Sequence, residues 1–405
     1  MGSGGPGERV LSPGAVPRVG DLRPLLPPAA EVIDAHTHLG RDEDGHSLAP
    51  EELLAALDAA GVARACVFAL HDPERRPAYR VPNDRVLAWA AASGGRLVPF
   101  CRLDPDDGAV PEAERCLARG ARGIKLHPRA QAFGFDHRAT GRILALAEEA
   151  GLPVLVHAGR GLPPIAEELA RVALRHPRLV LVLAHAGIAD QALFSSLLAE
   201  HPGVLYDTSA FSALDVLALL ARVPAERVVF GSDPPYGAPL PGLYVTLRCC
   251  AAAGLGERAV RAVLGETLSA ALAGRALPEP GPPAGEEHIA LPAPLLRVHS
   301  YAMMAFGAAL AGLPAPAREG VDLALSACRD PRAGAAREAL DRIAPLLQAA
   351  SARLGERGGA DGALRLLYVA AGIAVTPGAD AVDAPGTAGH PPSPDRTGTS
   401  YPDPA

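Results

Sequence analysis

An eightfold repeat of short apolar runs, each followed by a segment with helical spacing, most restricts how this chain can fold. The runs lie between residues 30 and 275 and read EVIDAHTH, RACVFAL, RLVPFCRL, RGIKLHP, LPVLVHAG, LVLVLAHAG, GVLYDTSA and RVVFGSDPP. Continuously apolar strands separated by helices predict a parallel sheet that is covered on both faces. Eight such units match the usual size of a barrel, roughly 250 residues. The predicted fold class is therefore α/β, a (β/α)8 TIM barrel.

An open, doubly wound sheet is the structural alternative to a closed barrel. No glycine-rich dinucleotide fingerprint follows the first apolar run, which weakens that alternative. Several intervening segments, including PEELLAALDAAG and TGRILALAEEAG, stop at Gly, as helices commonly do.

Composition divides the rest of the chain into segments outside the barrel. Residues 1–28 and 376–405 are rich in Gly and Pro and are predicted as disordered tails. The barrel is assigned to residues 29–275, and a Pro/Gly-rich linker to 276–290. The strand signal is absent from residues 291–375, which are predicted to form a small all-helical region.

Charge and cysteine content limit the expected partners and compartment. The net charge is -7 with no basic block, which argues against nucleic acid and against an acidic membrane surface. The expected partner is a small-molecule substrate, and homo-oligomerisation is left open. Six cysteines without a CxxC pair indicate reduced thiols, and no secretory leader or membrane span is expected. The chain is therefore predicted to be cytoplasmic.

Titratable side chains follow the apolar runs at the point where each predicted strand ends. In barrels of this type, catalytic residues come from these ends. Imidazole and carboxylate ligands suit zinc and similar ions, and polar groups in a packed interior need partners or a metal. The pattern therefore predicts a metal site. In strand order, the groups at the strand ends are His36 and His38, Lys125 and His127, His157, His185, Asp207 and Asp233, and the metal site is predicted from those of strands one, five, six and eight.

Four motifs, VIDAHTHLG, LPVLVHAG, LVLAHAG and VVFGSDPP, resemble those of the amidohydrolase superfamily of metal-dependent TIM-barrel enzymes. The likeness is to the branch that contains aminocarboxymuconate-semialdehyde decarboxylase and related lactonases. It covers about residues 30–275 and does not extend to the helical region.

The resemblance implies a role for each matching residue. His36, His38 and His157 would bind the metal, and Asp233 would be a ligand or lie beside the metal's water. His185 would be the neighbouring acid/base or a ligand of a second ion. The implied cofactor is a divalent ion, zinc, with one ion favoured over two.

Lys125 is open to several interpretations. In some amidohydrolases a lysine at this position is carboxylated and bridges two metals. It could instead bind substrate, orient a ligand or be purely structural. His127, one pleat further out, is expected at the rim in contact with substrate, with a structural role as the alternative.

Two further groups of residues have two interpretations each. Arg102, Arg129 and Arg160 each follow a strand end, where an arginine can bind a substrate carboxylate or lie in a solvated rim. Asp34 is expected on the face of the two strand-one histidines. There it would either orient a ligand or accept hydrogen bonds from backbone groups.

The predicted function is a metal-dependent hydrolase acting on an amide, lactone or related carbonyl bond of a small molecule through metal-activated water. Asp233 and His185 would handle the protons. The alternative is non-oxidative decarboxylation of a small unsaturated or aromatic carboxylic acid. A catalytically silent binding barrel is disfavoured, because no ligand of the family pattern is missing.

Overall fold

The structure, a computed structural model, describes most of the 405-residue chain. It covers residue 22 and residues 26–159, 162–163, 165–199, 201–210, 212–287, 291–331, 333–356 and 358–379. Most of both predicted tails lies outside the described residues. No helix in the described part of the chain is both long and apolar enough to cross a membrane.

Eight parallel strands form a closed barrel in the order in which they occur in the chain. A ninth strand of two residues, Ser47–Leu48, pairs antiparallel with the end of the first. The sheet closes because Ala35 N donates to Phe230 O and Asp233 N donates to His36 O, both over 2.8 Å. The predicted barrel is thereby confirmed. Its strands are β1 Ile33–Arg41, β2 Arg64–Ala69, β3 Leu97–Arg102, β4 Gly123–Leu126, β5 Val154–Val156, β6 Leu181–Leu183, β7 Val204–Asp207 and β8 Val228–Val229.

Helices cover the outside of the barrel between successive strands. Two of the predicted stops at glycine are confirmed, since α1 and α5 are followed by Gly61 and Gly151 with φ of 71° and 63°. The barrel helices are α1 Pro50–Ala60, α2 Arg80–Ala92, α3 Ala109–Ala118, α4 Pro128–Gln131, α5 Arg138–Ala150, α6 Ala166–Arg175, α7 Gln191–Leu197, α8 Ala213–Arg222, α9 Pro239–Ala252, α10 Glu257–Arg261 and α11 Thr267–Leu272. A π-helical turn, Ala262–Glu266, joins the last two, and short 3-10 segments occur at His185–Gly187, Ala225–Arg227 and Gly334–Ala336.

Alternate strand residues fill the barrel interior with apolar side chains, and α11 contributes to the same cluster. The ring of Phe100 fills the space beside Gly123, where a Cβ atom would lie 2.4 Å from the ring. Side chains two residues apart share a strand face. The residues one pleat beyond this apolar layer are therefore those that can line the mouth, and they are Arg102, Lys125, His157 and Asp207.

Four helices, α12 Ala293–Leu310, α13 Pro314–Cys328, α14 Arg337–Leu354 and α15 Ala360–Val375, form a helical region beside the barrel. Helix α15 packs on α9, where a Cβ atom at Gly372 would lie 2.9 Å from Val245 Cγ2. The buried Arg248 of α9 donates to Thr376 Oγ1 over 2.8 Å. Ordered packing therefore continues past residue 375, and residues 376–379 belong to the packed helical region rather than to a tail.

The described part of the predicted linker, residues 276–287, lies against the barrel. Gly281 N donates to Glu226 Oε2 over 3.0 Å, and Ala284 N donates to Leu220 O over 3.0 Å. These bonds hold the connection along the barrel surface.

The crossing of α12 and α13 is set by a glycine. A Cβ atom at Gly320 would lie 2.9 Å from Ala305 N. We expect Gly320→Ala to lower the free energy of unfolding by about 1–3 kcal/mol, because the backbone of α12 must move. Gly307→Ala is the matched control. A Cβ atom at Gly307 would have no atom within 4 Å, so the free energy of unfolding should rise by up to about 1 kcal/mol. Urea denaturation measures the free energy of unfolding of both variants. An equal increase in the two would contradict the close packing of Gly320 on α12.

Candidate active site

A bulge in β1 turns two histidines toward the barrel mouth. Ala35 belongs to the interior cluster, so strict alternation would send His36 and His38 outward. The pairing of β1 with β2 shifts register between Asp34 and Thr37, and such an extra residue re-aims the side chains that follow it. The two imidazoles are consequently buried together, 1% and 4% exposed.

Asp34 ties β1 to the loop after β8. Its Oδ1 accepts from His36 N over 3.0 Å and from Ser232 N over 3.1 Å, and its Oδ2 accepts from the Ser232 hydroxyl. Burial raises its pKa to about 7. The expectation that Asp34 shares the histidine face is wrong, because the bulge separates them. Of its two proposed roles, accepting bonds from backbone groups is the one observed.

His36, His38 and Asp233 bring three metal-binding atoms together. The two imidazole Nε2 atoms lie 3.2 Å and 3.1 Å from Asp233 Oδ1, and all three donor atoms lie within 4.8 Å of one another. Ligands placed tetrahedrally around zinc at its usual bond lengths are about 3.3 Å apart. The observed spacing therefore suits a catalytic zinc site with three protein ligands and one open position.

The electrostatics of the same three residues favour a cation. Burial, reinforced by Lys125, lowers the pKa of His36 to about 3, and burial holds that of His38 well below its usual value. Both imidazoles are thus neutral and can offer lone pairs. Burial also raises the pKa of Asp233 well above its usual value, and Oδ1 accepts no hydrogen bond from the described residues. These residues fit a divalent ion, which would compensate the buried carboxylate.

Asp207 orients the first of these ligands. Its Oδ2 lies 2.7 Å from His36 Nδ1, and its Oδ1 accepts from the backbone N of His185 over 2.8 Å and of Ser209 over 3.0 Å. Burial alone would raise the pKa of Asp207, but His36 and these donors more than reverse this and hold it below the usual range. Asp207 stays ionised and keeps the His36 proton on Nδ1, which leaves Nε2 free to coordinate.

Two site residues have left-handed backbone conformations that non-glycine residues rarely adopt. Asp233 has φ 55° and His185 has φ 60°. Such positions cost about 1–3 kcal/mol each and cluster at functional sites. Asp233 is held by a hydrogen bond from its N to His36 O over 2.8 Å and from Gly237 N to its own O over 2.7 Å. The surrounding structure thus imposes the conformation that presents the carboxylate.

Lys125 lies beside the predicted metal ligands. It is fully buried, with Nζ 3.3 Å from His36 Nε2 and 4.6 Å from the centroid of the Phe68 ring. Burial lowers its pKa to about 7 although Asp233 opposes the shift. Its amine is therefore within reach of any group bound at the histidines.

A second group of imidazoles adjoins the first. His185 Nε2 lies 3.0 Å from His157 Nδ1, and the ring of His127 stacks on that of His157 with 3.9 Å between centroids. His185 Nδ1 lies 3.2 Å from Ser209 O and 4.0 Å from Asp233 Oδ2. His185 thus connects the two groups, whereas His157 lies outside the cluster of three donors.

The arginines that follow strands have different environments. Arg102 is only 2% exposed, donates to Ala69 O over 3.0 Å and lies over the Tyr79 ring at 5.3 Å. It is a buried cation at the mouth, so the solvated-rim interpretation is wrong for it. Arg129 is exposed on α4, and Arg160 lies outside the described residues.

Sequence reasoning missed two serines of the site. Ser209 Oγ lies 3.0 Å from His185 Nδ1 and 3.3 Å from His36 Nδ1, and Ser232 binds Asp34. The available signal was position, since Ser209 follows Asp207 by two residues at the end of β7.

A cavity that opens to solvent lies between the barrel mouth and the helical region. From the barrel it is lined by the loops after β7 and β8, including Ser209, Ser232, Asp233 and Tyr236. From the helical region it is lined by Phe306 of α12 and by Asp361, Leu364, Arg365 and Tyr368 of α15.

A family model described as Amidohydrolase matches residues 33–267. That range contains every strand of the barrel and all of the clustered site residues. No curated protein sequence matches the chain.

Several solved structures are similar in shape. A 5-carboxyvanillate decarboxylase from Sphingomonas paucimobilis is 17% identical with a TM-score of 0.49, covering 60% of this chain and 99% of that one. A probable 2-pyrone-4,6-dicarboxylic acid hydrolase from Acinetobacter baumannii, with citric acid bound, is 14% identical with a TM-score of 0.48 and the same coverage. A 2,6-dihydroxybenzoate decarboxylase from Rhizobium is 18% identical with a TM-score of 0.47, covering 60% and 98%.

Asp207→Asn tests whether Asp207 orients His36. The amide keeps an acceptor for the backbone donors but loses the charge that stabilises the His36 tautomer. We expect zinc affinity to fall about 10- to 100-fold, measured by competition with a chromophoric chelator. Asp58→Asn, which removes an exposed carboxylate paired with Arg96, should leave affinity unchanged. Unaltered zinc binding by Asp207→Asn would rule out the orienting role.

Proposed function

The chain belongs to the amidohydrolase family of enzymes, and from this premise we propose that it is a metal-dependent hydrolase. Its substrate is a small molecule with an amide, lactone or related carbonyl bond. The observation that carries the proposal is the convergence of His36 Nε2 and His38 Nε2 on the unsatisfied Oδ1 of Asp233. One zinc ion per chain is the proposed cofactor.

The proposed cofactor supplies Lewis-acid chemistry, because a bound divalent ion lowers the pKa of water and polarises a carbonyl oxygen. His36, His38 and Asp233 would hold it. His157 stays a predicted further ligand. The tautomer of His157 is compatible with this role. If His185 carries its proton on Nδ1, facing Ser209 O, its Nε2 must accept a hydrogen bond from His157 Nδ1. The lone pair of His157 then lies on Nε2.

The protons are handled by Asp233 and His185. Asp233 Oδ1 faces the two strand-one histidines, whereas Oδ2 faces His185 Nδ1 at 4.0 Å. Oδ2 accepts the proton of the attacking water and returns it to the leaving group. His185, held by Ser209 and by Asp207, lies on the Oδ2 side of Asp233 as the neighbouring acid/base.

Lys125 and His127 are assigned to substrate contact. The amine of Lys125 is close enough to His36 to donate to a substrate oxygen at the metal. His127 stacks on His157 and would form part of the wall. Arg129 and Arg160 stay predicted substrate-binding residues at the rim.

Decarboxylation of a small unsaturated or aromatic acid is the second candidate. Arg102 favours it, because this buried guanidinium forms no ion pair with any carboxylate among the described residues. A substrate carboxylate would supply the missing anion.

The proposed ligand set predicts which variants lose the metal. We expect wild-type protein to hold one zinc per chain by elemental analysis and to show an unmodified intact mass. His38→Ala and His157→Ala should each lose most of the metal, whereas His127→Ala, the matched imidazole control, should retain it. Full occupancy in His157→Ala would limit the set to the three clustered donors. Two ions together with the added mass of one CO2 would establish a bridging Lys125 instead.

The reaction type is tested with two substrate panels given to the zinc-loaded protein. We expect acid release from small lactones, followed by pH-stat, or amine release from small amides, followed by amine derivatisation, and no CO2 release from aromatic carboxylic acids. His38→Ala, prepared identically, is the control and should be inactive on both panels. CO2 release from an aromatic acid without any hydrolysis would overturn the proposal in favour of the decarboxylase.

A further inference from the structure

One face of α15 extends from the barrel to the cavity above Asp233. Arg365, Tyr368 and Gly372 are spaced i, i+3 and i+7, so they lie along the same side of the helix. Gly372 is pressed against Val245 of α9, whereas Arg365 and Tyr368 line the cavity. The helical region therefore supplies one wall of the candidate active site.

That wall is held firmly. Helix α9 begins six residues after Asp233, and its buried Arg248 donates to Thr376 just beyond α15. Since Gly372 leaves no room between the two helices, the position of Arg365 relative to Asp233 is set by direct packing.

Arg365 is a largely buried cation whose nearest opposing charge does not offset its burial. Its side chain is largely buried, and burial lowers its pKa from the usual value. Among the described residues it forms no hydrogen bond and no ion pair within 4 Å. The carboxylate of Asp361, one turn earlier and also lining the cavity, favours the cationic form but does not offset the burial. An arginine cannot shed its charge in a protein, so an anion in the cavity would relieve this cost.

The remainder of the cavity suits a flat apolar group. Phe306 and Tyr368 line the side that belongs to the helical region, and Tyr236, whose ring stands edge-on to His38 at 5.7 Å, lines the barrel side.

We propose that Arg365 binds a carboxylate of the substrate while the reacting carbonyl faces Asp233. The substrate is then a small, flat molecule that carries a carboxylate as well as the bond to be hydrolysed. This assignment rests on the proposed hydrolase site. It makes Arg365, which lies outside the family match, a specificity-determining residue.

Benzoate and its neutral analogue benzamide test the assignment by calorimetric titration of the full-length, zinc-loaded protein. We expect Arg365→Gln to raise the benzoate Kd about 10- to 100-fold, as for loss of a charge-assisted hydrogen bond, without changing that of benzamide. Arg365→Lys should recover part of the loss. Arg353→Gln, a neutralised arginine of the same region that does not line the cavity, should bind benzoate like wild type.

Two results would overturn the proposal. One is a benzoate Kd that is unchanged by Arg365→Gln, as expected if Arg102 is the anchor. The other is an absence of benzoate binding by the wild-type protein. Zinc content, measured on each sample, separates this outcome from failure of the proposed function. If benzoate binding depends on Arg365 but the protein cannot retain zinc, the carboxylate subsite is supported and the proposed hydrolase function is contradicted.

Discussion

The 2.7 Å hydrogen bond between His36 Nδ1 and Asp207 Oδ2 determines the orientation on which the rest of the site depends. It keeps a proton on Nδ1 and directs the Nε2 lone pair toward Asp233. The other oxygen of Asp207 accepts from the backbone of His185 and Ser209. One carboxylate therefore positions groups from β1, from the loop after β6 and from the end of β7, and it does so without contacting the reacting atoms.

Three buried carboxylates at the mouth differ in how many hydrogen bonds they accept, and this difference indicates where a divalent ion would bind. Asp34 and Asp207 accept several hydrogen bonds from backbone and side-chain donors. Oδ1 of Asp233 accepts none from the described residues, although two imidazole nitrogens lie within 3.2 Å of it. A divalent cation placed here would contact all three atoms and compensate the buried carboxylate.

The sequence was sufficient to predict the barrel and the position of its mouth, because both follow from periodicity. Apolar runs of fixed length indicate the strands, and the polar residues that end them must meet at one edge of a closed parallel sheet. The bulge in β1 could not be predicted, because one extra residue leaves the apolar pattern unchanged. His36 and His38 share a face in either case, whereas Asp34 does not. The role of Asp207 was equally hidden, because its partner His36 is 171 residues away in the chain.

Sequence patterns say least about the surface on which the helical region packs. Periodicity identifies an apolar face on α15 but not the surface that this face covers. The contact depends on Gly372, whose missing side chain lets the helix approach Val245 of α9. Because α9 follows the loop that carries Asp233, the wall that contains Arg365 and the catalytic loop are anchored to the same helix. If Arg365 binds substrate as proposed, chemistry and substrate recognition come from separate parts of the chain. A change in helix packing would then alter recognition while leaving the proposed metal ligands in place.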